Sequence, residues 1–190
     1  MRVGYARRAC GASGGIGKGL AFGARAVQPR PMVVRLIPAS AADIANPPPA
    51  LQRGVEAYFS SAAAGLTYLD GIMAIMGANP RPAPWADWWA LDSSEAIVGL
   101  CGFKAPPDAD GTVEIGYGSF PKVEGRGVAT AMAQGLVAIA AANGARTVIA
   151  HTLLIDNASA TVLRRNGFTS MGTVIDPEDG EVWRWERPLG

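Results

Sequence analysis

The chain has 190 residues, with 17 Lys+Arg against 16 Asp+Glu for a formal charge of +1. That length suits one domain of ordinary size, which can bury about 70% of its extended surface without covalent staples. Two cysteines, Cys10 and Cys101, and a single histidine, His151, exclude a disulfide framework and most zinc constellations. The near-zero balance gives no global reason to expect nucleic acid or an anionic membrane as partner. The sparse cysteines fit a reducing, cytoplasmic setting.

The charge is unevenly spread. Residues 1–30 hold six basic groups (Arg2, Arg7, Arg8, Lys18, Arg25, Arg30) and no acid, leaving 11 basic against 16 acidic groups, a formal −5, in the rest. This leader is rich in Gly, Ala and Arg, lacks apolar periodicity, and lacks the unbroken apolar run of a secretory signal. It is expected to be an extension outside the core, or an over-long reading frame that truly begins near Met32. Gly11-Ala12-Ser13-Gly14-Gly15-Ile16-Gly17 resembles the glycine-rich turn of short-chain dehydrogenases. A dinucleotide fold needs an apolar strand before that turn and a helix after it. Here arginines precede it, Pro29 and Pro31 intervene, and no tyrosine lies four residues before a lysine.

From Met32 the expected elements run in order. Val33 to Ile37 reads as a strand and Ala42 to Asn46 as a turn of helix or loop. Pro47-Pro48-Pro49 can start a helix from Ala50 to Ala64, followed by a second around Tyr68 to Met76. Strands follow at Trp85–Leu91, Ala96–Phe103 and Thr112–Phe120, the last two joined by the turn Pro106–Gly111. Helix 128–142, strand 147–152, helix 158–166 and a closing strand pair (169–175, 182–187) complete the chain. Single helices between strands predict a mixed α/β or α+β sheet, and no internal repeat is visible. Residues 127–145 are uncharged, yet Gln134, Asn143 and many alanines mark a buried helix rather than a membrane span, with Met132, Leu136 and Ile139 as its core stripe. Trp85, Trp88, Trp89, Trp183 and Trp185 read as core or sheet-face residues.

The chemical signal lies between Glu114 and Phe168. A strand ending Gly116-Tyr117-Gly118-Ser119-Phe120-Pro121 is followed by Glu124-Gly125-Arg126-Gly127-Val128-Ala129-Thr130, which opens into the long apolar helix. A glycine-rich loop at a helix N-terminus aligns unpaired amides with the positive end of the helix dipole, a site for phosphate oxygens. Taken alone it also fits an ordinary tight strand-to-helix turn. Downstream, Asn157-Ala158-Ser159 precedes a helix that ends Val162-Leu163-Arg164-Arg165-Asn166-Gly167-Phe168, with Asn157 as a cap and Gly167 as a stop.

These two blocks resemble the GNAT superfamily of N-acyltransferases, most closely its branch similar to the ribosomal-protein N-terminal acetyltransferases. The resemblance runs from roughly Val33 to Arg187 and implies a mixed central sheet of about six to seven strands, with a splayed parallel pair flanked by helices. It divides the chain into the extension 1–30 and a GNAT domain, 31–190. It implies that Gly125, Arg126, Gly127, Val128, Ala129 and Thr130 hold the pyrophosphate of acetyl-CoA. The pantetheine arm would lie between the strands at 112–120 and 147–152, against Gly118, Ser119 and Phe120, with Asn157 binding it or ordering its turn. Arg164 and Arg165 are placed to reach CoA phosphates, and Arg165 is counted with the cofactor residues. Glu124 stands where the family usually has Gln or Arg. A carboxylate there disfavours a pyrophosphate unless it points outward.

Amide formation needs a deprotonated amine beside the thioester carbon and a stabilised leaving thiolate. The resemblance makes Glu114 the expected base and Ser159 the expected partner of the CoA sulfur. Glu114 also reads as a paired strand carboxylate, and Ser159 as a second helix cap. His151, at a strand end, reads as a structural hydrogen-bonder. The acceptor region falls on residues 46–90, where Tyr58, Phe59, Tyr68 and Asp70 lie. The implied activity is acetyl transfer from acetyl-CoA to a primary amine, either a protein N-terminal α-amine or a small amine. A catalytically weak acyl-CoA-binding or interaction module is the other reading. No metal is expected, and the particle is expected to be a monomer or homodimer.

Overall fold

The computed structural model describes residues 32–40, 42–78, 81–177 and 179–190. The basic extension and its glycine string lie outside the described residues. In chain order the elements are β1 (Arg35–Pro38), α1 (Ala42–Ala45), α2 (Pro49–Tyr58), α3 (Ala62–Ala78), β2 (Asp87–Leu91), β3 (Ile97–Phe103), β4 (Thr112–Ser119), a 3-10 turn (Pro121–Val123), α4 (Val128–Ala142), β5 (Thr147–Thr152), α5 (Ala158–Arg165), β6 (Thr169–Asp176) and β7 (Gly180–Pro188).

The strands form one seven-stranded sheet in the order β1-β2-β3-β4-β5-β7-β6. Only β4 and β5 are parallel, and they pair over three positions, Thr112↔Thr147, Val113↔Val148 and Glu114↔Ile149. Both strands continue past Glu114 and Ile149 without further pairing to each other, which is the splayed pair that the family resemblance implies. The central strand β3 is apolar and buried at all seven positions, as a strand covered on both faces must be. The edge strand β6 is exposed along nearly its whole length.

Glycine contacts fix which helices cover which face. A Cβ at Gly99 would meet Met132 Cε of α4 at 3.2 Å, so the face carrying Gly99 and its partner Ser119 packs on α4. A Cβ at Gly54 of α2 would lie 1.9 Å from Ile97 O and 3.1 Å from Phe120 Cε2. Helix α2 can therefore lie on β3 only because residue 54 has no side chain, and it covers the opposite face. Phe59, Tyr68 and Phe120 stack there with ring centroids 4.8–5.6 Å apart, joining α2, α3 and the end of β4.

Two expectations are corrected. The helix predicted over 50–64 stops at Tyr58, because Phe59 turns extended (φ −108°, ψ 160°) to place its ring in that aromatic cluster. Ser61 Oγ then accepts from Ala64 N at 3.2 Å, starting α3 earlier than Tyr68. In α4 the buried stripe is Val128, Met132, Ala133, Leu136, Val137 and Ala140, while Ile139 is only half-buried. The wider stripe follows from alanines that let the helix lie close to the sheet. Among the described residues no helix is long and apolar enough to cross a membrane.

Candidate active site

The open seam between β4 and β5 organises the site. On its other side β4 pairs with β3, and two bonds set the phase of that ladder: Lys104 N donates to Glu114 O at 2.9 Å and Phe120 N donates to Val98 O at 2.8 Å. Hydrogen-bonded positions in an antiparallel ladder alternate. The main-chain groups of residues 114, 116, 118 and 120 therefore serve β3, and those of Ile115, Tyr117 and Ser119 face the seam. Of the three residues expected against the pantetheine arm, Ser119 presents its main chain to the opening. Gly118 and Phe120 direct theirs to β3, and the Phe120 ring is fully buried in the aromatic cluster. Tyr117, part of the motif but not singled out from sequence, belongs with Ser119.

At the end of the seam stands the glycine-rich loop. Gly125 and Gly127 both have positive φ, 73° and 82°, a conformation that costs an L-side chain about 1–2 kcal/mol. Gly127 is the N-cap of α4 and has no side-chain capping bond, so the first-turn amides of Val128, Ala129 and Thr130 are left for an outside acceptor. Arg126 O accepts from Met32 N at 3.0 Å, which ties the loop to the start of the core. Glu124 is exposed on the loop. These residues fit a pyrophosphate: bare backbone, a helix dipole and an adjacent arginine.

Helix α5 approaches the seam from the α4 face. Asn157 caps it through Oδ1, which accepts from Ala160 N at 3.0 Å, so its side chain orders the turn. Ser159 Oγ lies 3.0 Å from the Tyr117 hydroxyl, which also reaches Ser159 O at 3.4 Å. This bond crosses from β4 to α5, beyond the point where β4 and β5 part. Burial pushes the Tyr117 hydroxyl up to about 12, against the opposing effect of its bond to Ser159. Asn166 is buried and donates from Nδ2 to Thr130 O at 3.2 Å, docking α5 on the first turn of α4. Arg165 is exposed in the last turn of α5. Arg164 is tied to Asp156 at 2.8 Å and lies over the Trp185 ring.

On the opposite, α2 face, Glu114 occupies the last β4 position paired with β5. Its Oε1 accepts from Lys104 Nζ at 2.7 Å and from His151 Nδ1 at 3.1 Å. Asp176, at the far end of β6, adds a second carboxylate oxygen 3.5 Å from His151 Nδ1 and 3.8 Å from Lys104 Nζ. Burial raises the Glu114 carboxyl, but hydrogen bonds from His151 and Lys104 and the positive charge of Lys104 outweigh it and hold it below the usual carboxylate value. Glu114, His151 and Asp176 bring one ligand atom each within 4.8 Å of one another. The Lys104 ammonium lies against both carboxylates, so the cluster already contains a cation of its own.

Lys104 and Asp176 carried no sequence signal, since they come from the ends of β3 and β6 and meet only through the sheet order. Tyr117 could have been found: period two along β4 puts it on the same face as Val113 and Ile115, toward the helix that carries Ser159. In the expected acceptor region Tyr58 donates to Asp92 in a short hydrogen bond, while Phe59 and Tyr68 are core aromatics. Asp70 is exposed on α3.

A family profile described as an acetyltransferase (GNAT) domain matches residues 34–169. Curated proteins give no match to the chain. Among solved structures, the chain is similar to RimL, a ribosomal L7/L12 α-N-protein acetyltransferase in complex with coenzyme A, at 17% identity and a TM-score of 0.57 over 85% of this chain and 97% of that one. It is also similar to a spermidine N-acetyltransferase chimera of SpeG from Vibrio cholerae and hSSAT (12% identity, TM-score 0.60, 82% and 95% covered). A phosphinothricin acetyltransferase from Sinorhizobium meliloti in complex with AcCoA gives 22% identity and a TM-score of 0.55, with 84% and 90% covered. At these identities the likeness is one of fold.

Proposed function

The chain belongs to the GNAT acetyltransferase family, and on that footing we propose that it moves the acetyl group of acetyl-CoA directly to a primary amine, either a protein N-terminal α-amine or a small amine or amino acid. One observation carries the reading. The β4–β5 seam has a hydroxyl pair, Tyr117 and Ser159, on its α4 face, and an anionic cluster with an imidazole, Glu114, Asp176 and His151, on its α2 face. A thioester lying in the seam would meet an amine from one face and release sulfur toward the other. The loop from Gly125 to Thr130 closes the end of the seam where a pyrophosphate would be held.

Each part supplies what the reaction needs. Bound acetyl-CoA would bring the activated acyl group. The amides and dipole at the start of α4 hold its anionic end, and the seam-facing main chain of Tyr117 and Ser119 offers the extended arm a ladder in place of the missing strand contact. Ser159 hydrogen-bonds the departing sulfur and Tyr117 fixes the direction of that hydroxyl. The carboxylates of Glu114 and Asp176 attract an ammonium to the α2 face. An α-amine, of reference pKa about 7.7–8, needs a weaker base than a lysine side chain at about 10.4, so α-amines are the favoured acceptors.

The test is thiol release from acetyl-CoA in the presence of a panel of peptide N-termini, amino acids and polyamines. Turnover on a primary amine supports the transferase. Tight binding of acetyl-CoA with no turnover on any amine would make the chain an acyl-CoA-binding module instead.

A further inference from the structure

Resting on that transferase reading, we propose that His151 is the catalytic base, taking the acceptor amine's proton at Nε2, and that Glu114 and Asp176 are positioning residues acting through its Nδ1. His151 stands two residues beyond Ile149, at the first position on the α2 face of β5 past its last pair with β4, where the two strands have begun to part. Its Nδ1 lies 3.1 Å from Glu114 Oε1 and 3.5 Å from Asp176 Oδ2. Ionised carboxylates only accept hydrogen bonds, so the network assigns a proton to Nδ1, and in the neutral ring Nε2 then carries the lone pair. Nε2 is buried and has no hydrogen-bond partner among the described residues. Buried side-chain nitrogens are in the large majority hydrogen-bonded, since an orphaned buried acceptor destabilises the fold. A histidine that must receive a proton keeps the second nitrogen unbonded, with the first oriented by a carboxylate.

Glu114 is poorly suited to be the base itself. It is already bonded to Lys104 and His151, and both hold it in its ionised form. The groups facing the imidazole are Glu114 from β4, Asp176 from β6 and Lys104 after β3, with Arg184 of β7 opposite it in the ladder. Lys104 sits with its primary ammonium between the two carboxylates, the arrangement that an acceptor ammonium approaching this face would copy.

The proton balance follows. The acceptor ammonium gives one proton to Nε2. Its nitrogen forms the C–N bond to the acetyl carbon as the C–S bond breaks with its electron pair going to sulfur. A second N–H proton reaches the thiolate, giving free CoA and the amide, and His151 returns its proton to solvent.

The experiment compares the full-length wild type with His151→Gln and His151→Asn, using acetyl-CoA and a peptide N-terminus as acceptor. Thiol release is followed from pH 6 to 9.5, and acetyl-CoA affinity is measured by calorimetry. A positioned base contributes about 10²–10⁴-fold, so kcat at pH 7 should fall at least about a hundredfold while acetyl-CoA affinity stays at the wild-type value. The Asn side chain still offers an N–H toward Glu114, which separates loss of the base from loss of the fold. The deficit should shrink above pH 9, where the α-amine arrives already deprotonated. A variant that binds acetyl-CoA and turns over like wild type at pH 7, or whose deficit is the same at pH 7 and 9.5, overturns the assignment and leaves the transferase reading intact. Failure of the wild type on every amine overturns both.

Discussion

If Tyr117 acts through Ser159, removing its hydroxyl should cost rate only while Ser159 is present. The two oxygens are 3.0 Å apart, and Ser159 is half-buried, so water can partly replace the lost partner. A neutral hydrogen bond of this kind is worth about 0.5–1.5 kcal/mol net, which predicts a roughly two- to tenfold fall in kcat for Tyr117→Phe. Ser159→Ala removes a bond to a developing thiolate. Bonds to charged groups are worth about 1.5–3 kcal/mol, or roughly 10- to 150-fold. The double variant should be no slower than Ser159→Ala, so the coupling equals the whole Tyr117 effect. Steady-state thiol release at saturating acetyl-CoA measures all four corners, and the KM for acetyl-CoA should not move. Because burial pushes the Tyr117 hydroxyl up to about 12, it keeps its proton throughout pH 6–9 and the Tyr117→Phe ratio should be flat across that range. Effects that add to within about 0.3 kcal/mol would refute the reasoning, since independent sites add and coupled ones do not.

Three further outcomes follow from the geometry. Gly127→Glu places a carboxylate at the uncapped end of α4 and a side chain at φ 82°, so acetyl-CoA binding should be lost while unfolding stability falls by only about 1–2 kcal/mol. Undiminished affinity by calorimetry would sink the pyrophosphate site. The Glu114 carboxyl is held below its ordinary value of 4.5 in the fold, so its stabilising contribution is present above that value and is lost as pH falls through the lower folded one. The stability gap between wild type and Glu114→Gln in urea melts should therefore be wide at pH 7 and narrow toward pH 3. A constant gap would show that the interaction is not ionic. Deleting residues 1–30 should leave kcat and KM unchanged, because every group assigned here lies beyond Met32. A large loss would place the basic extension in the transferase.

What could be read from the sequence depended on whether the signal was local. Helix α4 and strand β5 fall at their expected boundaries because the Gly127 start, the Asn143–Gly144 stop and the β-branched run after Arg146 are all within a few residues of the elements they define. The Gly125–Thr130 loop was legible for the same reason. The break after Tyr58 was not, because its only local mark is the Ser61 cap of the next helix, and no glycine or proline immediately follows Phe59. Its reason is the contact with Phe120, some sixty residues away. Likewise a strand over Thr112–Phe120 was expected, but which main-chain groups face the seam depends on the β3 register, and that register requires the fold. The same holds for His151. From the chain it was a lone imidazole at a strand end, and its meaning comes from Glu114 and Asp176, which reach it from two other strands.

A division of charge along β4 would let a chain with 11 basic against 16 acidic groups beyond residue 30 serve a polyanionic donor and a cationic acceptor together, as the proposed transfer requires. The carboxylates Glu114 and Asp176 gather on the α2 face where the seam begins, while the proposed anion site is at Gly125–Gly127, past the other end of the strand. Five residues of strand separate Glu114 from Ser119, about 16 Å at the usual rise. That is about twice the Debye length of roughly 8 Å at physiological salt, so the acidic cluster scarcely repels a pyrophosphate at the loop. Net charge therefore decides neither affinity. In the proposed complex the donor would be held by amide dipoles that carry no formal charge, and the acceptor would meet Glu114, held in its ionised form by Lys104 and His151, with Asp176 beside it. Losing the basic extension would turn the formal charge from +1 to −5, and on this reasoning neither affinity should follow that change.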